Sequence, residues 1–217
     1  MTTIAIDGQA VESVYLKMKD RNVANSQEKL AAAHVTIAGS GGLGSNIAIA
    51  LARAGVGHLT LIDFDEIEHS NLNRQQFKLS QVGLPKVLAL KQNILEFNPF
   101  VEVTTWQERV TEGNVLDLFT GADIICEAFD DQNAKAMLLR RAQEVLPETP
   151  IVMGNGLAGV HDANQIQTVR QSDHVYLCGD GQTKGAEGLM AARVLICAGH
   201  QANQILRLIL EKETVEE

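Results

Sequence analysis

The three cysteines of this chain, Cys126, Cys178 and Cys197, include no C-x-x-C pair. A tetrathiolate zinc site is therefore not available, because such sites draw on closely spaced thiolates. The odd cysteine count, and a start (MTTIAIDGQAVES) without a basic segment and a long apolar run, point to a reducing, cytoplasmic setting. No stretch approaches the roughly 18 uninterrupted apolar residues of a spanning helix, so no membrane role is expected. Positive charge is in deficit. Against 27 Asp and Glu stand 18 Lys and Arg, a net charge of −9. Nucleic acid is not expected as a main partner, because a phosphate backbone is held by a basic face. A local cationic pocket for a small phosphate ligand remains compatible with that balance. No closely spaced Ser/His/Asp or Cys/His set offers nucleophilic catalysis.

What the chain does have is enough length and apolar content for one large domain. At 217 residues and 45% hydrophobic, it can bury roughly 70% of its unfolded surface without a disulfide or metal. Short apolar strands alternate with helices. Strands are expected near Ile4–Ile6, before the Asp7-Gly8 turn, then at Val35–Ala38, Leu59–Ile62, Val101–Trp106, Asp123–Ala128 and Ile151–Met153. Helices are expected at Val11–Lys19, at Gln27–Ala33 with Ser26 as its cap, and at Leu43–Ala54, stopping at Gly55. Further helices should start at Pro85, run over Gln132–Leu146, and close the chain over Leu189–Lys212, before a solvated ETVEE tail. The pattern is that of an α/β, Rossmann-like, mostly parallel sheet with helices on both faces. Ile166–Val169 and Val175–Leu177 add a small antiparallel C-terminal extension. Residues 1–217 thus form one domain. About 20–154 is a nucleotide-binding half, and 155–217 holds a glycine-rich loop, the extension and the last helix.

The densest information lies between His34 and Lys86. The turn GSGGLG places Gly39, Gly41, Gly42 and Gly44 between a strand and a helix. Glycines there let the backbone approach phosphate oxygens, which the helix N-terminus attracts. Asp63, at the end of the next strand, can accept hydrogen bonds from ribose hydroxyls. These features alone do not separate NAD from ATP. Asn71, Asn73, Arg74 and Gln75 follow in SNLNRQQ, near the carboxyl end of that strand, where open α/β sheets bind ligands. Arg74 can grip phosphate bidentately. Lys86, at a helix start where the dipole disfavours it, is either a solvated lysine or a triphosphate contact. Asp130 and Asp131 follow the Asp123–Ala128 strand. Asp131 suits a helix N-cap, which leaves Asp130 for Mg²⁺ or catalysis.

GSGGLGSNIA, IDFD, SNLNRQ, VGLPK and FDD occur in that order, and together they resemble the ThiF/MoeB/HesA family, relatives of the ubiquitin-activating enzymes. The similarity covers roughly residues 20–210, and the C-terminal stretch is similar to the short, zinc-free ThiF-type proteins. The resemblance implies an adenylyltransferase. It would act on the C-terminal Gly-Gly carboxylate of a small ubiquitin-like sulfur carrier, ThiS-like and serving thiamine biosynthesis. The cofactors implied are ATP and Mg²⁺, with no zinc, and the assembly implied is a homodimer. Carried over by motif, Gly41 contacts phosphates and Asp63 the ribose. Asn71, Arg74 and Lys86 bind phosphates, and Asp130 holds Mg²⁺. Arg21 lies near the place of an arginine that reaches the partner subunit's nucleotide, or else it is an exposed helix-flanking residue. Cys178 matches a region where some relatives join the carrier covalently, or else it is inert. The glycines of 154–188 suggest a mobile loop over the carrier tail. The chain departs from the family pattern in lacking the zinc cysteines, in a segment between Arg74 and Lys86 one residue shorter than the MoeB type, and in having Asp131 where Asn is usual. The competing readings are a MoaD-like carrier or another carboxylate substrate, including a modified tRNA base, an NAD(P)-dependent oxidoreductase, or a binding module without chemistry.

Overall fold

A computed structural model describes residues 5–6 and 9–211. Ile4, the Asp7-Gly8 turn, Lys212 and the ETVEE tail lie outside the described residues. In chain order the elements are β1 (Ala5–Ile6), β2 (Gln9–Ala10), α1 (Val11–Lys17), α2 (Gln27–Ala32), β3 (His34–Ala38), α3 (Gly42–Ala54), β4 (His58–Ile62) and α4 (Lys86–Phe97). There follow β5 (Glu102–Trp106), α5 (Val115–Phe119), β6 (Ile124–Glu127), α6 (Gln132–Val145), β7 (Ile151–Gly154), β8 (Gln167–Ser172), β9 (Val175–Gly179) and α7 (Ala191–Ile209).

Strands β3 to β9 form one seven-stranded sheet in the order β5-β4-β3-β6-β7-β9-β8, all neighbours parallel except β8–β9. The central strands β6 and β7 are buried at every residue, as β-branched and apolar runs covered on both faces must be. The edge strand β8 is mostly exposed and polar, which discourages pairing with another sheet. Helices cover both faces. On one, α3, α4 and α7 pack Leu43, Ile47, Leu51, Leu90 and Ile205 over the sheet. On the other, α5 and α6 contribute Phe119, Leu138 and Ala142. No described helix is long and apolar enough to cross a membrane.

The chain reverses direction across the sheet between β3 and β6. From β3 it winds outward through β4 to β5, then crosses back to lay β6 on the other side of β3. That switch opens a crevice at the carboxyl ends of β3 and β6, the place where sheets of this kind bind ligands.

Several expectations need correction. Ser26 stands at the start of α2, but its hydroxyl is buried and makes no capping bond; its helical φ of −86° and ψ of −16° point the side chain away from the free N–H groups. Pro85 precedes the first helical residue of α4 instead of occupying it. The expected antiparallel C-terminal extension is present: β8 pairs antiparallel with β9, which itself pairs in parallel with β7.

Candidate functional site

The glycine turn joins β3 to α3 at the mouth of the crevice. Gly39 has φ +98°, and a Cβ there would meet the Ala128 carbonyl oxygen at 2.7 Å. A Cβ on Gly44 would stand 1.8 Å from the Gly39 carbonyl oxygen. These two glycines are required by the fold itself. Gly41 and Gly42 are different. The nearest neighbour of a Cβ on Gly41 is Gln75 Nε2 at 3.7 Å, and on Gly42 it is Val194 Cγ1 at 3.3 Å, with Arg74 Nε at 3.6 Å. Among the described residues nothing crowds Gly41, and its open side lies at the N-terminus of α3, where unpaired N–H groups and the helix dipole favour an anion.

Asp63 directly follows β4, beneath this turn. Its Oδ2 accepts the Ser40 N–H at 2.6 Å and its Oδ1 accepts the Asp65 N–H at 2.9 Å. Burial pushes its carboxyl above the ordinary range, while the two N–H groups and Lys86 oppose that rise. Each oxygen retains a lone pair, so the carboxylate both clamps the turn and can still accept a hydroxyl.

The loop after β4 carries the cations. Lys86, the first residue of α4, is buried and donates to Asp65 Oδ2 at 2.7 Å. The solvated-lysine reading is thereby corrected: α4 starts against the loop after β4, where the Lys86 N–H also donates to the Asp65 carbonyl at 3.0 Å, and the Asp65 carboxylate offsets the unfavourable dipole. Arg74 is partly buried, and its Nη1 donates to the Ser70 carbonyl at 3.1 Å and to Asn73 Oδ1 at 2.8 Å. Asn46 of α3 ties this loop to the turn. Its Nδ2 donates to the Gly42 carbonyl at 2.6 Å and the Arg74 carbonyl at 3.0 Å, and its Oδ1 accepts from Gln76 at 2.6 Å. Asn71 turns its Oδ1 back to the Glu68 N–H at 3.1 Å, capping a short 3₁₀ turn. Gln75 is buried beside Gly41, and its Oε1 has no hydrogen-bond partner. Glycine turn, Asp63, Arg74 and Lys86 therefore share one crevice.

Across the crevice, β6 ends in Glu127 and leads to Asp130 and Asp131. Asp131 caps α6, accepting the Ala134 N–H at 2.7 Å. Asp130 is exposed beside it. Among the described residues no three His, Cys, Asp or Glu side chains gather as a metal cage. Mg²⁺ does not need one, since one or two carboxylates with substrate phosphates and water suffice; the exposed Asp130, two residues after the Ala128 carbonyl that bears on Gly39, fits that requirement.

Sequence reasoning missed Asp65 as the partner of Lys86, and it missed Glu127. Glu127 is fully buried, and burial raises its carboxyl despite a bond from Lys135 Nζ to each oxygen at 2.9 Å. The available signal was a charge closing an otherwise apolar strand, IICE, since a buried charge has to be paired.

Two expected residues fall outside the crevice. Arg21 is exposed in the α1–α2 connection, where the next residue, Asn22, donates to the Ala54 carbonyl at 2.8 Å at the far end of α3. With α3 spanning about 20 Å at ~1.5 Å per residue, Arg21 does not reach the turn of its own chain. Cys178, for which a covalent and an inert role were both open, is part of the sheet. It lies fully buried in β9, where burial pushes its thiol up to about 11, so it is not a thiolate at neutral pH. The 154–188 segment, expected as a mobile loop, contains β8 and β9 and is bonded to α7. Buried Arg193 of α7 donates to the carbonyls of Ala158, His161 and Asp162 and to Asp180 Oδ2 at 2.6 Å. Asp180 in turn accepts the Gln182 and Thr183 N–H groups. Burial works to raise the Asp180 carboxyl, but these N–H groups, the Thr183 hydroxyl and Arg193 together hold it well below the usual range.

The ThiF family profile matches residues 16–217. A curated relative, adenylyltransferase and sulfurtransferase MOCS3 of Culex quinquefasciatus, is 31% identical over 82% of this chain and 48% of its own length. The tRNA threonylcarbamoyladenosine dehydratase of Escherichia coli is 37% identical over 62% of this chain and 50% of its own. The chain thus spans about half the length of the curated relatives it matches. A crystal structure of the E. coli dehydratase overlays with a TM-score of 0.82 at 25% identity, covering 93% of this chain and 95% of that one. Its complex with ATP gives the same TM-score at 24% identity, a likeness of fold. With the profile running over nearly the whole chain, through the turn, the cationic loop and the Asp130 turn, this chain belongs to the ThiF family.

Proposed function

We propose that this chain activates a carboxylate with ATP, forming an acyl-adenylate and releasing pyrophosphate. The observation that carries the reading is the buried Lys86, held beside Asp63 and Asp65 in the same crevice as Arg74 and the uncrowded Gly41. A nicotinamide dinucleotide has no triphosphate for such cations, whereas an ATP whose α-phosphorus is attacked needs them on the leaving pyrophosphate.

In this reading Gly41 and Gly42 admit the phosphates, and Asp63 accepts a ribose hydroxyl. Asn71, Arg74 and Lys86 bind phosphate oxygens. Asp130 would hold Mg²⁺, which supplies charge neutralisation on the phosphates when bound. A substrate carboxylate oxygen attacks the α-phosphorus, a new O–P bond forms, and the bond to the bridging oxygen breaks with its electrons leaving on pyrophosphate. No proton moves, because the carboxylate is already ionised, so no general base is required. The protein contributes alignment and electrostatic stabilisation.

The substrate proposed is the C-terminal Gly-Gly carboxylate of a small ubiquitin-like carrier, ThiS-like in thiamine biosynthesis, with the chain acting as a homodimer in the cytoplasm. Arg21, remote from its own crevice, would serve only a partner's. Cys178 is left out of the mechanism. A second reading, activation of a carboxylate on a modified tRNA base, is favoured by the likeness to the E. coli dehydratase; the net charge of −9 weighs against it. Mass spectrometry of a Gly-Gly-tailed carrier incubated with the chain and MgATP tests the choice. The proposal expects one AMP added to the intact carrier and none to a carrier lacking the tail. Adenylation of tRNA alone would overturn the carrier assignment in favour of the second reading.

A further inference from the structure

Glu127 is the last residue of β6 and is completely buried. Its Oε1 accepts the Phe129 N–H at 2.6 Å and Lys135 Nζ at 2.9 Å, and its Oε2 accepts Lys135 Nζ at 2.9 Å. The same ammonium donates to the Gly154 carbonyl at 2.9 Å, at the end of β7. From the other side of the sheet, Gln201 of α7 donates to the Glu127 carbonyl at 2.9 Å. The pair therefore joins three things: the ends of β6 and β7, the first turns of α6, and the peptide that leads into Asp130.

A buried ion pair is an inefficient way to stabilise a core, since apolar side chains of similar volume do as well or better. What apolar side chains cannot do is hold the Phe129 N–H and the Gly154 carbonyl at fixed positions. The held turn also lies directly against the glycine turn: Ala128 donates its N–H to the Ala38 carbonyl at 2.8 Å, and its own carbonyl bears on Gly39. A shift of the Phe129 peptide would swing Asp130 relative to Gly41, since among the described residues the capping bond belongs to Asp131 and not to Asp130.

We propose that Glu127 and Lys135 form a positioning pair that fixes the turn bearing Asp130 opposite the phosphate-facing glycines, so that Asp130 meets a divalent cation riding on a bound triphosphate. The inference rests on the nucleotide reading above. Neither residue touches the nucleotide; both act through the turn.

The test is the affinity of the full chain for a fluorescent ATP analogue, measured with Mg²⁺ and again in EDTA, together with thermal unfolding. Two variants probe the pair. Glu127→Asp keeps the charge but withdraws the carboxylate, and the double variant Glu127→Gln/Lys135→Met removes both charges at similar volume. Each is expected to bind the metal-free nucleotide within about twofold of wild type and the Mg²⁺ complex about tenfold more weakly, the scale of losing an outer-shell support of a metal ligand. Lys135→Arg, which keeps charge and reach, should restore the Mg²⁺-dependent affinity. Wild-type Mg²⁺-dependent affinity in either folded pair variant would overturn the proposal. So would an equal loss with and without metal, which marks a merely structural role. Asp130→Ala separates the two levels of inference. If it weakens the Mg²⁺ complex while the pair variants do not, only the positioning role fails. If Asp130→Ala is also silent, the placement of the cation at Asp130 fails first.

Discussion

Gly41→Ala and Gly44→Ala differ by three residues in sequence, yet their effects should separate cleanly into binding and folding. A methyl on Gly44 would lie 1.8 Å from the Gly39 carbonyl oxygen and 2.8 Å from its carbon. Neither atom belongs to a flexible side chain, so α3 must move away from the turn. Such overpacking costs about 1–3 kcal/mol or more, set against about 1 kcal/mol gained in helix propensity over glycine. For a chain of this size each kcal/mol is worth about 2–4 °C, so Gly44→Ala should lower Tm by a few degrees. A methyl on Gly41 meets only Gln75 Nε2, at 3.7 Å, and φ there is −82°. Its folding cost is limited to the poorer cap, about 1 kcal/mol at most. The same methyl fills the space proposed for phosphate, and a tenfold loss of ATP affinity, about 1.4 kcal/mol, is the minimum expected. Differential scanning fluorimetry and calorimetric titration with MgATP read the two effects. If Gly41→Ala binds ATP like wild type, phosphate does not pass over Gly41. If Gly44→Ala melts above wild type, as a plain gain in helix propensity would make it, the close approach of helix and turn is wrong.

Lys86→Met should cut ATP–pyrophosphate exchange by about 10²–10³-fold, as removal of a charge-stabilising donor does, while Tm falls little because Asp65 is left half in water. Arg193→Met leaves Asp180 unpaired among buried carbonyls, at a cost of about 3–5 kcal/mol, and urea unfolding should show it. Because the folded Asp180 carboxyl is held well below its unfolded value of about 3.9, its stabilising contribution is complete above that value and is lost as pH falls toward the folded one. Unfolding of wild type should therefore steepen in its pH dependence below about pH 5, and Asp180→Asn should flatten that limb. Titration with a thiol reagent should label none of Cys126, Cys178 and Cys197 in the native chain and all of them in urea; rapid native labelling of Cys178 would reopen a covalent role.

The strand–turn–helix of β3 and α3 was legible because its signals are local. A glycine turn between an apolar strand and an apolar-periodic segment allows few folds, and Gly55, with φ +93°, ended α3 where a left-handed residue should. Long-range pairing was not legible in the same way. That β9 lies parallel to β7 depends on the crossover through 155–166, for which no periodicity speaks, so the burial of Cys178 was not legible and its reactive and inert readings both stayed open. The burial of Lys86 follows from how the start of α4 meets the Asp65 loop, which charge and spacing do not encode. Glu127 and Lys135 stand eight residues apart, beyond the helical i,i+4 spacing that pattern reading seeks. Arg193, inside an apolar helix, is likewise understood only through the carbonyls it gathers from a distant loop.

The most direct test of carboxylate activation is the exchange of radiolabelled pyrophosphate into ATP by the full chain with Mg²⁺ and a Gly-Gly-tailed carrier, run beside the same carrier without its tail. The account predicts exchange that requires both the intact tail and Lys86. Tight NAD(H) binding with no ATP binding, and no exchange with any carboxylate substrate offered, would contradict it.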